Sequence, residues 1–332
     1  MSLNNEELLV NELKEDIRVL HKNGKQQAIE EIRDGLNAPQ KYISPKFFYD
    51  EIGSELFEEI TRLKEYYLTC TEKKIISKLY PRLGIDFRDI NVIELGSGDH
   101  SKINLLLNQV PRDILSTITY FPVDISKSAI ARSTSHLSLQ LPELKVYGLV
   151  ADFIHQIPQL SFSGRNLFMF LGSTIGNLLP SEIKAFMEDI SSIMQPGDYL
   201  LMGMDLVKDI STLENAYNDS KHITAKFNKN VLRVLNKLTG SDLCPDKFNH
   251  KAFFNKEMSR IEMHLEAKTN MSMDFPVLNQ RIYFKEGETI HTENSHKFNP
   301  ESIKIIGNFG RLQLDNIFMD ENEWFSLALY NK

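Results

Sequence analysis

The sequence has little of what would commit a chain to an oxidising compartment, a membrane or a nucleic acid. It holds two cysteines in 332 residues, Cys70 and Cys244, too far apart in sequence for a CxxC metal knuckle. So few thiols point to a reducing compartment. The longest apolar runs, such as Leu167–Leu171, fall far short of the ~20 residues a membrane span needs. The first residues, Met1 to Glu7, are polar and acidic and read as no secretory leader. Basic charge is not in excess: 38 Lys and Arg stand against 45 Asp and Glu, a net charge of −7. That excludes the global basic field on which non-specific nucleic-acid or anionic-membrane binding depends. No internal repeat or low-complexity tract appears. None of the nine histidines has HExxH or facial-triad spacing, so no metal site is expected. The expectation is a cytoplasmic globular monomer with neither nucleic acid nor membrane as partner.

With 42% hydrophobic and 25% charged residues, the composition is that of a globular protein. The length fits about two domains. Residues 6–38 carry apolar positions at helical spacing, and 47–80 read as helical with a break around Tyr66 to Thr69. From residue 91 the pattern changes. Short runs rich in Val, Ile, Leu and Phe (91–95, 118–123, 145–149, 166–171, 199–204) alternate with amphipathic segments (102–109, 129–139, 180–194). This rhythm predicts βαβ crossovers and a mostly parallel, seven-stranded Rossmann-like sheet with helices on both faces, an α/β fold. Residues 207–257 read as mostly helical, and 259–272 and 280–294 as strands outside the alternation. The run 324–330 reads as a strand returning to the main sheet. The expected domains are a ligand-binding core of 70–206 plus 297–332 and a second α+β lobe of 1–69 plus 207–296.

The segment Val92-Ile93-Glu94-Leu95-Gly96-Ser97-Gly98 reads as a strand ending in a glycine turn ahead of a helix from Lys102. In an open parallel sheet, ligands bind beyond the carboxyl ends of the strands, where glycines let backbone approach closely. The dinucleotide fingerprint is broken by Ser101, and no P-loop is present. An acid at position 94 would repel a pyrophosphate, which disfavours an NAD-dependent dehydrogenase. A phosphate-free cation such as S-adenosylmethionine is compatible with it. Asp124 ends the second strand, where a carboxylate can accept both hydroxyls of a ribose. Asp152 and Phe153 follow the third, where an acid and a ring can hold an adenine. Singly, each could be a helix cap or a solvated turn. Three acids at three successive strand ends favour a methyltransferase.

The motifs Glu94-Leu95-Gly96-Ser97-Gly98, Gly172-Ser173-Thr174-Ile175-Gly176-Asn177 and Asp205-Leu206-Val207-Lys208-Asp209 resemble those of the histidine Nα-methyltransferases of ergothioneine biosynthesis, within the class I S-adenosylmethionine-dependent methyltransferases. The resemblance extends to Phe48-Tyr49-Asp50 and Ile261-Glu262-Met263 and covers the chain from about residue 40 to the end, with Ser173 standing where members of the family carry glycine. It implies that S-adenosylmethionine contacts Gly96, Lys102, Asp124, Asp152 and Phe153. Lys102 comes from the resemblance alone. It further implies that Asn177 holds the amino and carboxylate ends of an amino-acid substrate. Tyr66, Tyr217, Met263, Glu293 and Ser295 would form the rest of that pocket.

Bottom-up, Asn177 offers an amide with donors and acceptors, or equally a cap for the turn before Pro180. Glu293 and Ser295 alternate along one strand and share a face. An acid and a hydroxyl there are either solvent contacts or partners for an imidazole. The expected reaction is methylation of the α-amine of L-histidine to the trimethylated product, hercynine. Orientation by Asn177 would stand in for a dedicated catalytic residue. The alternatives are another amino acid or small amine as acceptor, or a non-catalytic methyltransferase-like binding module.

Overall fold

The computed structural model describes residues 8–9, 17–19, 24–98, 100–154 and 156–332. Among them, no helix is long and apolar enough to cross a membrane. Contacts divide the chain into two units. One comprises Thr71–Leu206 and Phe298–Lys332 with the described residues of the first twenty-one; the other comprises Lys22–Cys70 and Val207–Lys297.

The first unit is built on one sheet. Its strands Ile90–Leu95, Thr119–Asp124, Arg165–Phe170 and Tyr199–Asp205 are apolar and buried almost end to end, as strands covered on both faces must be. The order across the sheet is Gln313–Met319, Phe325–Asn331, Tyr199–Asp205, Arg165–Phe170, Ile90–Leu95, Thr119–Asp124, Gly148–Val150, Ile17–Val19. All neighbours are parallel except those of Phe325–Asn331, which runs antiparallel to both of its partners. This is the expected Rossmann-like sheet of seven strands. The short strands Ile17–Val19 and Lys145–Val146 extend it to nine. Chain order reverses at Ile90–Leu95, so the ligand-binding switch point lies at the carboxyl end of that strand. Helices such as Lys127–Gln140 and Pro180–Ile193 bury Ile130, Leu137, Ile183, Phe186 and Ile190 in the unit. Phe186 stacks on Phe170 at 4.7 Å between ring centres.

The second unit contains a three-stranded antiparallel sheet, Phe248–Asn255, Arg260–Ala267 and Thr289–His296, with Arg260–Ala267 in the middle. The helix Ile223–Thr239 buries Phe227, Val231 and Leu235, a single stripe at helical spacing. Asp219 accepts the N–H groups of Ile223 and Thr224 and closes the amino end of this helix. The helix Glu51–Ile60 begins at Asp50. Its carboxylate takes the Gly53 N–H and the Asn230 amide, at 2.8 and 2.7 Å.

Three local expectations fail. Ile17–Val19, read as helix, is a strand because Gly148–Val150 offers it an edge. Phe248–Asn255, read as part of a helical stretch, pairs with Arg260–Ala267 over its whole length. Residues 280–294 form two strands, Gln280–Phe284 and Thr289–His296, in different sheets. Pairing partners distant in sequence override local periodicity in each case.

At the end of the first unit's sheet opposite its switch point, Asp198 is 1% exposed. Its carboxylate accepts the Asn166 N–H (2.8 Å), the Asn166 amide (2.9 Å) and the Gln195 N–H (2.9 Å). Asp198→Ala leaves two buried donors and a part-buried one without this acceptor and should lower stability by about 2–4 kcal/mol in urea titration. A loss below about 1 kcal/mol would show that the network carries no such weight.

Candidate active site

The glycine turn is held from two sides. The Gly96 and Ser97 N–H groups both donate to the Val123 carbonyl, at 2.8 and 3.2 Å. Gly96 has φ of 69°, and a Cβ there would lie 3.1 Å from the Phe153 ring, so a side chain is excluded both by dihedral and by space. The Asp124 carboxylate takes the Gly98 N–H on one oxygen (3.0 Å) and the Ser126 N–H on the other (2.9 Å). Ser126, not Asp124, caps the helix that follows. Burial pushes the Asp124 carboxyl above the usual carboxylate range, against the N–H groups of Ser126, Gly98 and Ile125 that pull it down. This arrangement fits S-adenosylmethionine better than a dinucleotide. The Gly98 N–H, which a pyrophosphate would need, is already taken by Asp124. Each Asp124 oxygen keeps a lone pair for a hydroxyl.

Asp152 sits in the loop after Gly148–Val150, half-buried, its carboxylate accepting the Ile154 N–H at 3.1 Å. Phe153 lies over Gly96 and meets Phe170 edge-on at 5.7 Å. Glu94, the acid that disfavoured a phosphate ligand, is 2% exposed and accepts the Tyr120 hydroxyl at 2.5 Å. Lys102 reaches the carboxylate of Glu72 at 2.7 Å. Glu72 also accepts the Gly172 N–H at 2.8 Å. It is a fully buried acid to which the sequence gave no pointer, being one charged position among several on a helix.

Asn177 closes the short helix Thr174–Asn177 after Arg165–Phe170. It is half-buried, and no hydrogen bond among the described residues takes up its side-chain amide. Ser173, ahead of it, has φ of 57°, the left-handed region where glycine is easier. Its hydroxyl accepts the Asp205 N–H at 2.9 Å. That bond holds the serine in this conformation.

The remaining candidates belong to the second unit. Met263 opposes Glu293 and Ile261 opposes Ser295 across the sheet, so these four share a face. Thr292 is an extra residue in the register, and its hydroxyl lies 2.7 Å from the Asn228 amide oxygen and 3.0 Å from the Met263 carbonyl. Tyr217 is 4% exposed and donates its hydroxyl to Ser295 at 2.7 Å. Its carbonyl accepts from His250, 2.9 Å away. Tyr66, 8% exposed, meets the Tyr217 ring edge-on at 6.2 Å. Glu293 keeps part of its surface accessible, yet burial of the carboxyl pushes it up to about 8, with Lys297 pulling the other way. Lys297 is itself 4% exposed and lies 2.8 Å from the Ser295 hydroxyl. The sequence reading stopped at Glu293 and Ser295; continuing the same alternation by two residues would have reached Lys297.

The opposite face of this sheet gathers Glu262, His264 and His291, whose ligand-type atoms lie within 4.8 Å of one another. Sequence spacing gave no sign of the group because its members come from two strands. The Glu262 carboxylate is already held by Arg260, Asn255 and His264.

A family model described as histidine-specific methyltransferase, SAM-dependent, matches residues 28–332. The histidine N-alpha-methyltransferase of Mycolicibacterium smegmatis is 38% identical over 277 residues, 82% of this chain and 85% of that protein. The enzyme of the same name from Mycobacterium tuberculosis is 37% identical over 302 residues, 91% of this chain and 94% of that protein. Ergothioneine biosynthesis protein 1 of Schizosaccharomyces pombe is 27% identical over 80% of this chain, which spans 36% of that longer protein. With the family model covering more than nine-tenths of its length, the chain belongs to the histidine-specific, S-adenosylmethionine-dependent methyltransferases.

Proposed function

We propose that this enzyme methylates the α-amine of free L-histidine to the trimethylated product, as a cytoplasmic monomer acting on a small molecule. The observation that carries the substrate assignment is the face formed by Met263, Ile261, Glu293 and Ser295. Its two polar groups are an acid and a hydroxyl, which match the two nitrogens of an imidazole, one N–H and one lone pair.

S-adenosylmethionine, when bound, supplies a methyl group already activated on a sulfonium. Gly96 and Phe153 would line its place, Asp124 would accept the ribose hydroxyls, and Asp152 the adenine amine. Lys102, steadied by Glu72, would meet its carboxylate. Asn177 offers donors to the substrate carboxylate and an acceptor to the amine. In the second unit, Tyr66 would offer a hydroxyl to the substrate, and Tyr217 acts through the hydrogen bond it donates to Ser295. What these groups contribute is orientation and exclusion of water, which suffices for an in-line displacement onto a neutral amine. No assigned residue acts as a base; Asn177 cannot take a proton, and the proton leaves to water.

A panel of the common amino acids incubated with radiolabelled S-adenosylmethionine tests the assignment. Histidine should be labelled at least about tenfold faster than any aromatic amino acid, and preference for another acceptor would replace the reading. Asn177→Asp should lower kcat/KM for histidine about 100-fold while S-adenosylhomocysteine affinity stays within threefold, roughly, of wild type. Wild-type kinetics would remove Asn177 from the site.

Glu293 also has a signature in stability. Its folded-state value of about 8 lies above the 4.5 of an ordinary glutamate. The folded protein therefore holds the proton more tightly than the unfolded chain, and stability falls as pH rises from 4.5 through 8. Glu293→Gln removes the buried charge. Without substrate, its Tm should exceed wild type by several degrees above pH 8 and equal it near the lower end of that window. Parallel melting curves at both ends would contradict the assignment of burial as the cause.

A further inference from the structure

Lys297 follows the strand that carries Glu293 and Ser295, and its ammonium is enclosed by protein. It donates to the Ser295 hydroxyl oxygen at 2.8 Å and to the Tyr217 hydroxyl oxygen at 3.4 Å, lying over the Tyr217 ring at 5.1 Å from its centre. Tyr217 in turn donates to Ser295 at 2.7 Å. An ammonium carries donors only, and a hydroxyl has two lone pairs and one proton. Ser295 therefore receives two hydrogen bonds, which occupy both of its lone pairs. Its own O–H is left, and it can only donate.

We propose that Lys297 is a positioning residue that sets Ser295 as a donor, so that the pocket admits only the neutral imidazole, its bare nitrogen toward Ser295 and its N–H toward an ionised Glu293. The proposal deepens the assignment of histidine as substrate and rests on it. An imidazolium has two N–H groups and no acceptor, so it would set a donor against the Ser295 donor. Indole and phenol rings have no bare ring nitrogen for Ser295 to meet. A neutral imidazole has one donor and one acceptor. With Ser295 supplying the donor, the partner on the other nitrogen has to accept, which an ionised carboxylate does more strongly than a protonated carboxyl.

In the ligand-free protein the Glu293 carboxyl is held protonated at neutral pH by its burial. Substrate binding then favours loss of that proton. Lys297 supplies the opposing positive charge on this face. The neighbouring strand presents Met263 and Ile261 there, both uncharged; His250, opposite Leu265 on the third strand, shares the face, and burial holds its imidazole below the usual range. Tyr217 contributes a neutral hydroxyl. Arg260, Glu262, His264 and His291 lie on the other face. Lys297 thus acts twice, by orienting the Ser295 proton and by favouring the Glu293 carboxylate.

Histidine binding to the S-adenosylhomocysteine complex, followed calorimetrically at pH 7 in buffers of different ionisation enthalpy, should release more protons in wild type than in Glu293→Gln, the difference being the Glu293 proton. Lys297→Met should raise KM for histidine at least about tenfold at pH 7, with kcat changed less than about threefold. The pH of lowest KM should move upward by roughly one unit. Lys297→Arg, which keeps the charge and the donors, should recover most of the loss. S-adenosylhomocysteine affinity should be unaffected in both variants. Equal proton release in wild type and Glu293→Gln overturns the proposal. So does a Lys297→Met enzyme whose KM is raised equally at every pH or not at all. Failure of the wild-type enzyme to methylate histidine is a different result: it removes the substrate assignment itself.

Discussion

The buried carboxylate of Glu72 is the contact on which the first unit's ligand end depends. One oxygen meets the Lys102 ammonium and the other accepts the Gly172 N–H. Lys102 opens the helix after the glycine turn, and Gly172 opens the turn that carries Asn177. The turns following two adjacent parallel strands are therefore referred to one fixed charge. Gly203 makes room for it: a Cβ there would sit 2.5 Å from the Glu72 carboxylate. A buried carboxylate of this kind is tolerated only because a cation and a backbone N–H both satisfy it. Its value is in placement more than in net stability.

Two candidate acids, Asp124 and Glu293, are pushed above the ordinary carboxylate range, and burial is the main cause for both. Their surroundings differ in consequence. Asp124 has backbone N–H groups on both oxygens, so it is preorganised as an acceptor and ties the glycine turn at the same time. Glu293 has no such bonds among the described residues and faces the single charge of Lys297. Its protonation state is thus open to adjustment by whatever group it meets. A carboxyl of fixed role and a carboxyl of adjustable role are a natural division between holding a cofactor and selecting a substrate.

The second unit's sheet is irregular beside the pair Met263 and Glu293. His264 pairs with His291 while Met263 pairs with Glu293, so Thr292 is surplus. A bulge of this kind re-aims the side chains beyond it. His291 and Glu293 are two apart in sequence yet lie on opposite faces, the first stacked on His264 at 4.7 Å and the second across from Met263. The Thr292 hydroxyl, in contact with both Asn228 and the Met263 carbonyl, keeps the irregularity in place.

The places of the parallel strands along the chain, the glycine turn and the acids that end successive strands were readable from the chain alone. Each is a local pattern: an apolar run of strand length, a turn residue, and a polar residue immediately after it. Glu293 and Ser295 were readable as a pair for the same reason, since alternation along a strand needs no partner. Glu72 and Lys297 were not found, and Phe248–Asn255 was misread, because their meaning comes from atoms far away in sequence. Glu72 is defined by Gly172, one hundred residues on, and Phe248–Asn255 by the strand beside it. The hydroxyl polarity at Ser295 depends on Tyr217, seventy-eight residues earlier. Local sequence sets which chemistry is available at a strand end; only long-range packing settles which lone pairs and protons remain for a ligand.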